Sequence, residues 1–374
     1  MYSQQELDDA VAAGAISADA ADALRQYVAG QRAVAIPDEE QFRLITGFND
    51  IFVSIAAVIL LVAVGWIGQW IGQAAGLYVT DNGESGPSFI APLAVAATSW
   101  ALALFFTARR RMALPSILLL LSFVGGVLLT VGFGLVQIIG PDRLDESNQL
   151  VGYAVGAVSA AVAAASAWIH WRRFRVPITV AAGAAAVAGL FITALLAIVQ
   201  PSDGKAAEQL VLSFMLPLGV GVFLFAMWWD ASDRARLTRR SDVAFWLHLL
   251  AAPMIAHPIF ALLGLNTGSV TIGEGLVVVG LYILFGLTAL AVDRRALLVS
   301  ALAYVLYALT ELFKQFGAVE LNVALTALII GSALLLLSAF WHQARRLVVS
   351  RLPSNLQDRL PILDRPAVAT QPAA

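Results

Sequence analysis

Cysteine is absent from the 374-residue chain, which excludes disulfides, thiolate metal sites and cysteine nucleophiles. Lysine is almost absent: Lys205 and Lys314 apart, arginine supplies all of the 23 basic side chains. Charge of either sign is scarce, at 13% of residues against about 25% in a soluble domain. With 60% of residues apolar, neither a soluble globular domain nor a charge-rich disordered chain fits. The net charge of −2 leaves no basic surplus for nucleic acid. There are only four histidines, too few for a convincing metal centre, and no HExxH, GxSxG, P-loop or strand-linked GxGxxG motif occurs. No metal and no cofactor is expected, and no nucleophile–base set points to an enzyme.

What is present is apolar sequence in long blocks. A spanning helix needs roughly 20 apolar residues. Ten segments qualify: 50–71, 89–108, 113–139, 151–171, 176–199, 209–229, 243–264, 274–292, 296–316 and 320–341. The expected fold is all-α, a polytopic membrane bundle over residues 50–341 with the lipid bilayer as its first partner. Arginines set the orientation. Clusters at Arg109–Arg111, Arg172/Arg173/Arg175, Arg234/Arg236/Arg239/Arg240, Arg294/Arg295 and Arg345/Arg346 fall in alternate turns, and with the terminal arginines 20 cations lie on one side. Arg143, Lys205 and Lys314 lie on the other. Both termini are therefore expected in the cytoplasm, and the arginine- and alanine-rich composition suggests a bacterial inner membrane. Oligomeric state is not readable.

Residues 1–36 read as a cytoplasmic helical hairpin, 37–49 as a juxtamembrane linker and 342–374 as a cytoplasmic tail. Ser3 and Glu6 fit a capping box, Gly14 a left-handed helix end, and Ser17 the cap of a second helix. The start is acidic rather than basic and apolar, unlike a signal peptide, so the first membrane helix is expected to act as its own insertion signal. A hairpin of this size holds no core by itself. Residues 3–30 should pack on the membrane domain or on a cytosolic protein partner.

Two segments carry chemistry. In 296–316, Ser300, Tyr304, Tyr307, Glu311, Lys314 and Gln315 form a polar stripe at helical spacing, which cannot face lipid. In 243–264, Pro253 and Pro258 each remove a backbone donor, so this helix is expected to kink or break around His257, as the helices of many transporters do. His248, nine residues earlier, faces the opposite way. His257 and Glu311 lie at similar depths, roughly 6–8 Å from the centre of their spans. They are the candidate proton- or substrate-binding pair, with Tyr304, Tyr307 and Lys314 as neighbours. Glu274, between two glycines at a helix start, is a further candidate beside its ordinary reading as a dipole-stabilising acid. His170 and His342, beside Trp and Arg, read as interface residues. Glycines at 125, 126, 132, 134, 152, 156, 183 and 189 read as close helix packing.

Three segments, "VAAGAISADAADALRQY" at 11–27, "FRLITGFNDIFVSIAAVILLV" at 42–62 and "DVAFWLHLLAAPMIAHP" at 242–258, resemble an uncharacterised family of bacterial inner-membrane proteins. That family pairs a short N-terminal helical hairpin with a multi-pass domain. The resemblance implies this topology and supplies no catalytic residues. Two functional readings lead, ahead of an intramembrane enzyme acting on lipid, for which no nucleophile–base set is visible. One is a secondary transporter or proton-linked permease with its site between the seventh and ninth helices. The other is a non-transporting scaffold or sensor whose hairpin binds a cytosolic partner.

Overall fold

The computed structural model describes residues 7, 10–25, 48–81, 84–140, 143–144, 148–234, 236, 238–264, 271–315 and 322–363, with backbone only at 272, 296, 311–315 and 322–323. The chain divides into two units, Met1–Phe42 with Ile362–Ala374, and Arg43–Pro361. In the first, residues 10–12 and 18–25 are helical. Gly14 takes the left-handed conformation at φ 68°, and the Ser17 hydroxyl accepts the Ala20 N–H at 3.1 Å. The capping box expected at Ser3 and Glu6 lies outside the described residues, as does the linker 37–47.

The second unit is helical. Its elements are α1 (Phe48–Ala74), a two-residue strand pair β1 (Thr80–Asp81) and β2 (Glu84–Ser85), α2 (Ile90–Phe106), α3 (Ala113–Ile139), α4 (Gln149–Phe174) and α5 (Ile178–Val199). There follow α6 (Gly204–Ala231), α7 (Arg239–Leu262), α8 (Ile272–Val292), α9 (Ala296–Gln315), α10 (Asn322–Ala339), α11 (Trp341–Val349) and α12 (Ser354–Gln357). Each of the ten apolar segments is a helix. Among the described residues seven helices, α1 and α3–α8, are long and apolar enough to cross a bilayer, or eight if α10 and α11 count as one bent span. The apolar helices α2 and α9 are shorter. This is the build of an integral membrane protein.

Packing runs mainly between sequence neighbours: α1 on α2 and α3, α4 on α5, α6 on α7, α8 on α9, with α7 also against α5 and α9. Small side chains set the closest approaches. On α1, Asp50, Ser54, Ala57, Leu61, Gly68 and Gly72 form the buried stripe, while Phe52, Ile59, Trp66 and Trp70 stand exposed where lipid would lie. A Cβ at Gly68 would sit 2.9 Å from the Ala91 backbone, and one at Gly126 2.8 Å from the Pro92 carbonyl. Not every glycine of the α3 stripe packs in this way: Gly125 has no neighbour within 4 Å. The α1–α2 connection is stapled by Gln69, whose amide donates to the Gly86 carbonyl and accepts from the Ser88 N–H, both at 2.9 Å.

Of the expected kink or break in the seventh helix, the break does not occur. α7 runs without interruption through Pro253 and Pro258. Pro258 leaves the Met254 carbonyl without its intrahelical donor, and α6 packs closely against that carbonyl at Gly219, where a Cβ would be 2.9 Å from the oxygen. The chain breaks elsewhere: between α10 and α11 it bends by 76°.

Candidate functional site

α7 carries two polar layers. The first contains His257, which the sequence pairs with Glu311. His257 Nδ1 and the Tyr304 hydroxyl of α9 lie 2.6 Å apart, and Phe260, one turn along α7, stacks on the Tyr304 ring at 4.3 Å. The hydroxyl donates whenever Nδ1 carries no proton. His257 and Pro253 are exposed on the same side of α7, and Tyr307 is 36% exposed one turn further along α9. Glu311 and Lys314 belong to α9, but their side chains lie outside the described residues. Glu274 does not reach this layer in the described contacts. It closes a capping box at the start of α8, where Oε2 accepts the Thr271 N–H at 2.7 Å and the Thr271 hydroxyl at 2.8 Å.

The second layer went unread in the sequence. Asp230, the penultimate residue of α6, is 1% exposed; His248 of α7 and Arg294 of the α8–α9 turn are 0% and 2% exposed. Arg294 grips the carboxylate with Nη2 to Oδ1 at 2.6 Å and Nε to Oδ2 at 3.3 Å, and Nη2 also donates to the Ser241 carbonyl at 3.1 Å. A forked guanidinium–carboxylate pair of this kind is stronger than a neutral hydrogen bond. His248 Nε2 donates to Asp230 Oδ2 at 3.1 Å. Its Nδ1 is buried with no partner among the described residues, and Phe223 packs edge-on against the ring.

A second ionic group surrounds the first. Arg236 of the α6–α7 turn donates to Asp293 Oδ2 at 2.8 Å and to the Val292 and Asp293 carbonyls at 3.1 and 3.2 Å, capping the end of α8. Trp341, at the α10–α11 bend, donates through its indole N–H to Asp293 Oδ1 at 2.7 Å, and Arg345 Nε lies 3.7 Å from the same oxygen. Burial raises the Asp293 carboxyl, but Arg236, Arg345, the Trp341 N–H and Arg294 outweigh it and hold the group below the usual aspartate value. The tail closes the assembly. Arg234 donates to the Leu360 and Gln357 carbonyls at 2.9 and 3.1 Å, and Arg345 to the Pro361 carbonyl at 2.7 Å.

One signal in the sequence pointed here. Asp230 and Asp293 are acids at the C-terminal ends of apolar helices, where the helix dipole disfavours negative charge. Each therefore requires a cation, and the arginines that mark membrane orientation supply it. His170 also departs from expectation. It is 1% exposed, packed among Trp100, Phe123 and Phe174, with Thr179 Oγ1 at 3.3 Å from Nδ1. Its position one residue before Trp171 suggested an interface, but its face of α4 turns inward. A groove of about 510 Å³ between α1, α2 and α3, lined mainly by apolar side chains such as Leu61, Trp66 and Val95 with Gln69 and Ser122, involves neither polar layer. Among the described residues no group of three His, Cys, Asp or Glu side chains could hold a metal ion. No family model, curated protein or solved structure matches the chain.

Proposed function

We propose that this membrane protein is a proton-linked permease of the bacterial inner membrane, with ten spanning helices and both termini in the cytoplasm, and that the α7–α9 layer is its site. The observation that carries the reading is the 2.6 Å His257–Tyr304 contact between an exposed imidazole on a membrane-crossing helix and the polar face of its neighbour. Ionisable side chains inside a bilayer are costly and concentrate along ion and proton pathways. Histidine is the side chain whose ordinary titration falls nearest neutral pH. In this reading His257 takes up a proton on the imidazole, and Tyr304 holds the ring in one orientation. Glu311 and Lys314 follow on α9 as the next charged residues of the path. Resemblance to the bacterial hairpin-plus-bundle family belongs to the same proposal.

The test uses the missing cysteines. Single cysteines are placed at His257, Tyr304 and Tyr307, with Val299 and Leu284, which are 66% and 58% exposed and apolar, as controls. Intact cells and inverted vesicles are then treated with a small membrane-impermeant maleimide. Labelling at the three polar positions but not at the controls supports a water-filled path. Absence of labelling from both sides overturns it and leaves a non-transporting scaffold or sensor, in which the N-terminal hairpin engages a cytosolic protein.

A further inference from the structure

The arginine-rich end of the bundle falls into two unlike halves. Around α6–α9 and α11 the guanidiniums of Arg234, Arg236, Arg294 and Arg345 are spent on carboxylates or backbone carbonyls within the chain. In the α2–α3 turn and at the C-terminal end of α4, Arg109, Arg110, Arg111, Arg172, Arg173 and Arg175 are all exposed. None of these six makes an ion pair with a carboxylate among the described residues. The stretches that carry them hold no acid of their own between Glu84 and Asp142 or between Glu146 and Asp203. The two turns adjoin, because Phe106 and Phe174 pack on the same buried cluster of Leu61, Ala103 and Leu119.

The backbone at these turns is left-handed, as it is at the helix ends Gln200 and Asp293. Arg111 and Arg175 sit at φ 53° and 55°, in the left-handed region, where glycine is the low-cost residue. Arg236 has the same conformation at φ 55°, and there the strain is offset by its clamp on Asp293. Among the described residues Arg111 and Arg175 have no such carboxylate partner. Aromatic rings hold the neighbouring cations at the surface: Arg110 lies over Phe105, Arg172 over Trp168 and Arg175 over Trp171, at 5.0–5.5 Å. Trp168 is 59% exposed, and tryptophan at a helix end marks the headgroup level of a bilayer.

We propose that these two turns form a binding surface for anionic phospholipid headgroups, with the lipid phosphates as the missing partners of Arg111 and Arg175. Basic pockets between membrane helices bind phosphate headgroups in this way. The surface does not depend on any transport activity.

The full chain is placed in phosphatidylcholine vesicles containing phosphatidylglycerol, and the two lipids, each spin-labelled, report which is held against the protein. The unmodified protein should prefer phosphatidylglycerol. In R109Q/R110Q/R111Q and in R172Q/R173Q/R175Q the preference should fall by about fivefold or more, the equivalent of one interfacial cation worth ~1 kcal/mol. R239Q/R240Q, which removes exposed arginines from the other half, should change it much less. R111G/R175G removes both cations while relieving the backbone, so it should lose the preference with no loss of thermal stability. Equal preference in all variants would reduce the six arginines to topological signals and overturn the proposal. So would a loss that simply tracks the number of charges removed, R239Q/R240Q included.

Discussion

Asp230 is the side chain whose surroundings leave it least freedom. Removing one partner of a buried ion pair strands the other charge, whereas replacing both with apolar groups of similar size is close to neutral. Asp230→Asn or Arg294→Met should each lower stability by about 3–5 kcal/mol. The double variant D230L/R294M should lose far less than the sum, as read by denaturant unfolding in detergent. A double variant that lost the full sum would mean the pair stabilises beyond relieving mutual desolvation. Asp293 gives a pH signature. Its carboxyl is held below the ordinary value of 3.8, so its contribution to stability is complete above that value. The contribution disappears as pH falls through the lower, folded-state value. Asp293→Asn should therefore be less stable than the native chain at neutral pH and should show a shallower loss in acid, followed by melting temperature between neutral pH and strong acid.

Helices differ in how well the sequence announces them. The ten apolar segments coincide with α1–α10 because long apolar runs separated by charged turns leave little choice of register. The break expected in the seventh helix is absent: α7 stays continuous through Pro253 and Pro258, with the Met254 carbonyl packed against Gly219 of α6. The bend before Trp341 has no proline or glycine to mark it, and is held by an indole bond to Asp293 nearly fifty residues earlier. Of the expected polar site, the described residues show a His257–Tyr304 contact, while the expected pairing of His257 with Glu311 involves a side chain outside them. The Asp230 layer escaped notice because its members come from three separate turns and helices. Gly219→Ala should destabilise the α6–α7 pair by about 1–3 kcal/mol through forced overpacking. Gly221→Ala, with no neighbour within 4 Å, should be neutral or should stabilise by up to about 1 kcal/mol through helix propensity. Thermal unfolding of the two variants side by side distinguishes a packing constraint from a general intolerance of α6.

For the whole chain, the tail residues 352–361 are part of the membrane unit. They supply carbonyls to Arg234 and Arg345, and Arg345 is 3% exposed. Truncation after Ser350 would leave both guanidiniums without these acceptors and should lower the melting temperature. Arg345→Met in the same truncated chain should restore part of that loss, whereas a tail that only covers the surface would show no such rescue.

The same ties decide how the bundle can move. Turns α6–α7 and α8–α9, the α10–α11 bend and the tail are bolted to one another at one end by Arg236, Arg294 and Arg345. His257 lies on α7 nine residues past His248, about 13 Å farther from that end at 1.5 Å per residue, and there α7 meets α9 through the Tyr304 hydrogen bond and the packed side chains of Phe260, Ala301, Val305 and Ala308. The two helices are thus pinned twice, by charge at one level and by apolar contact at the other, like a plank held by a bolt and by glue. Spin-label pairs spanning α7 and α9 should then show narrow distances near both His248 and His257, and a broad distribution near His257 alone would mean that the apolar contact opens.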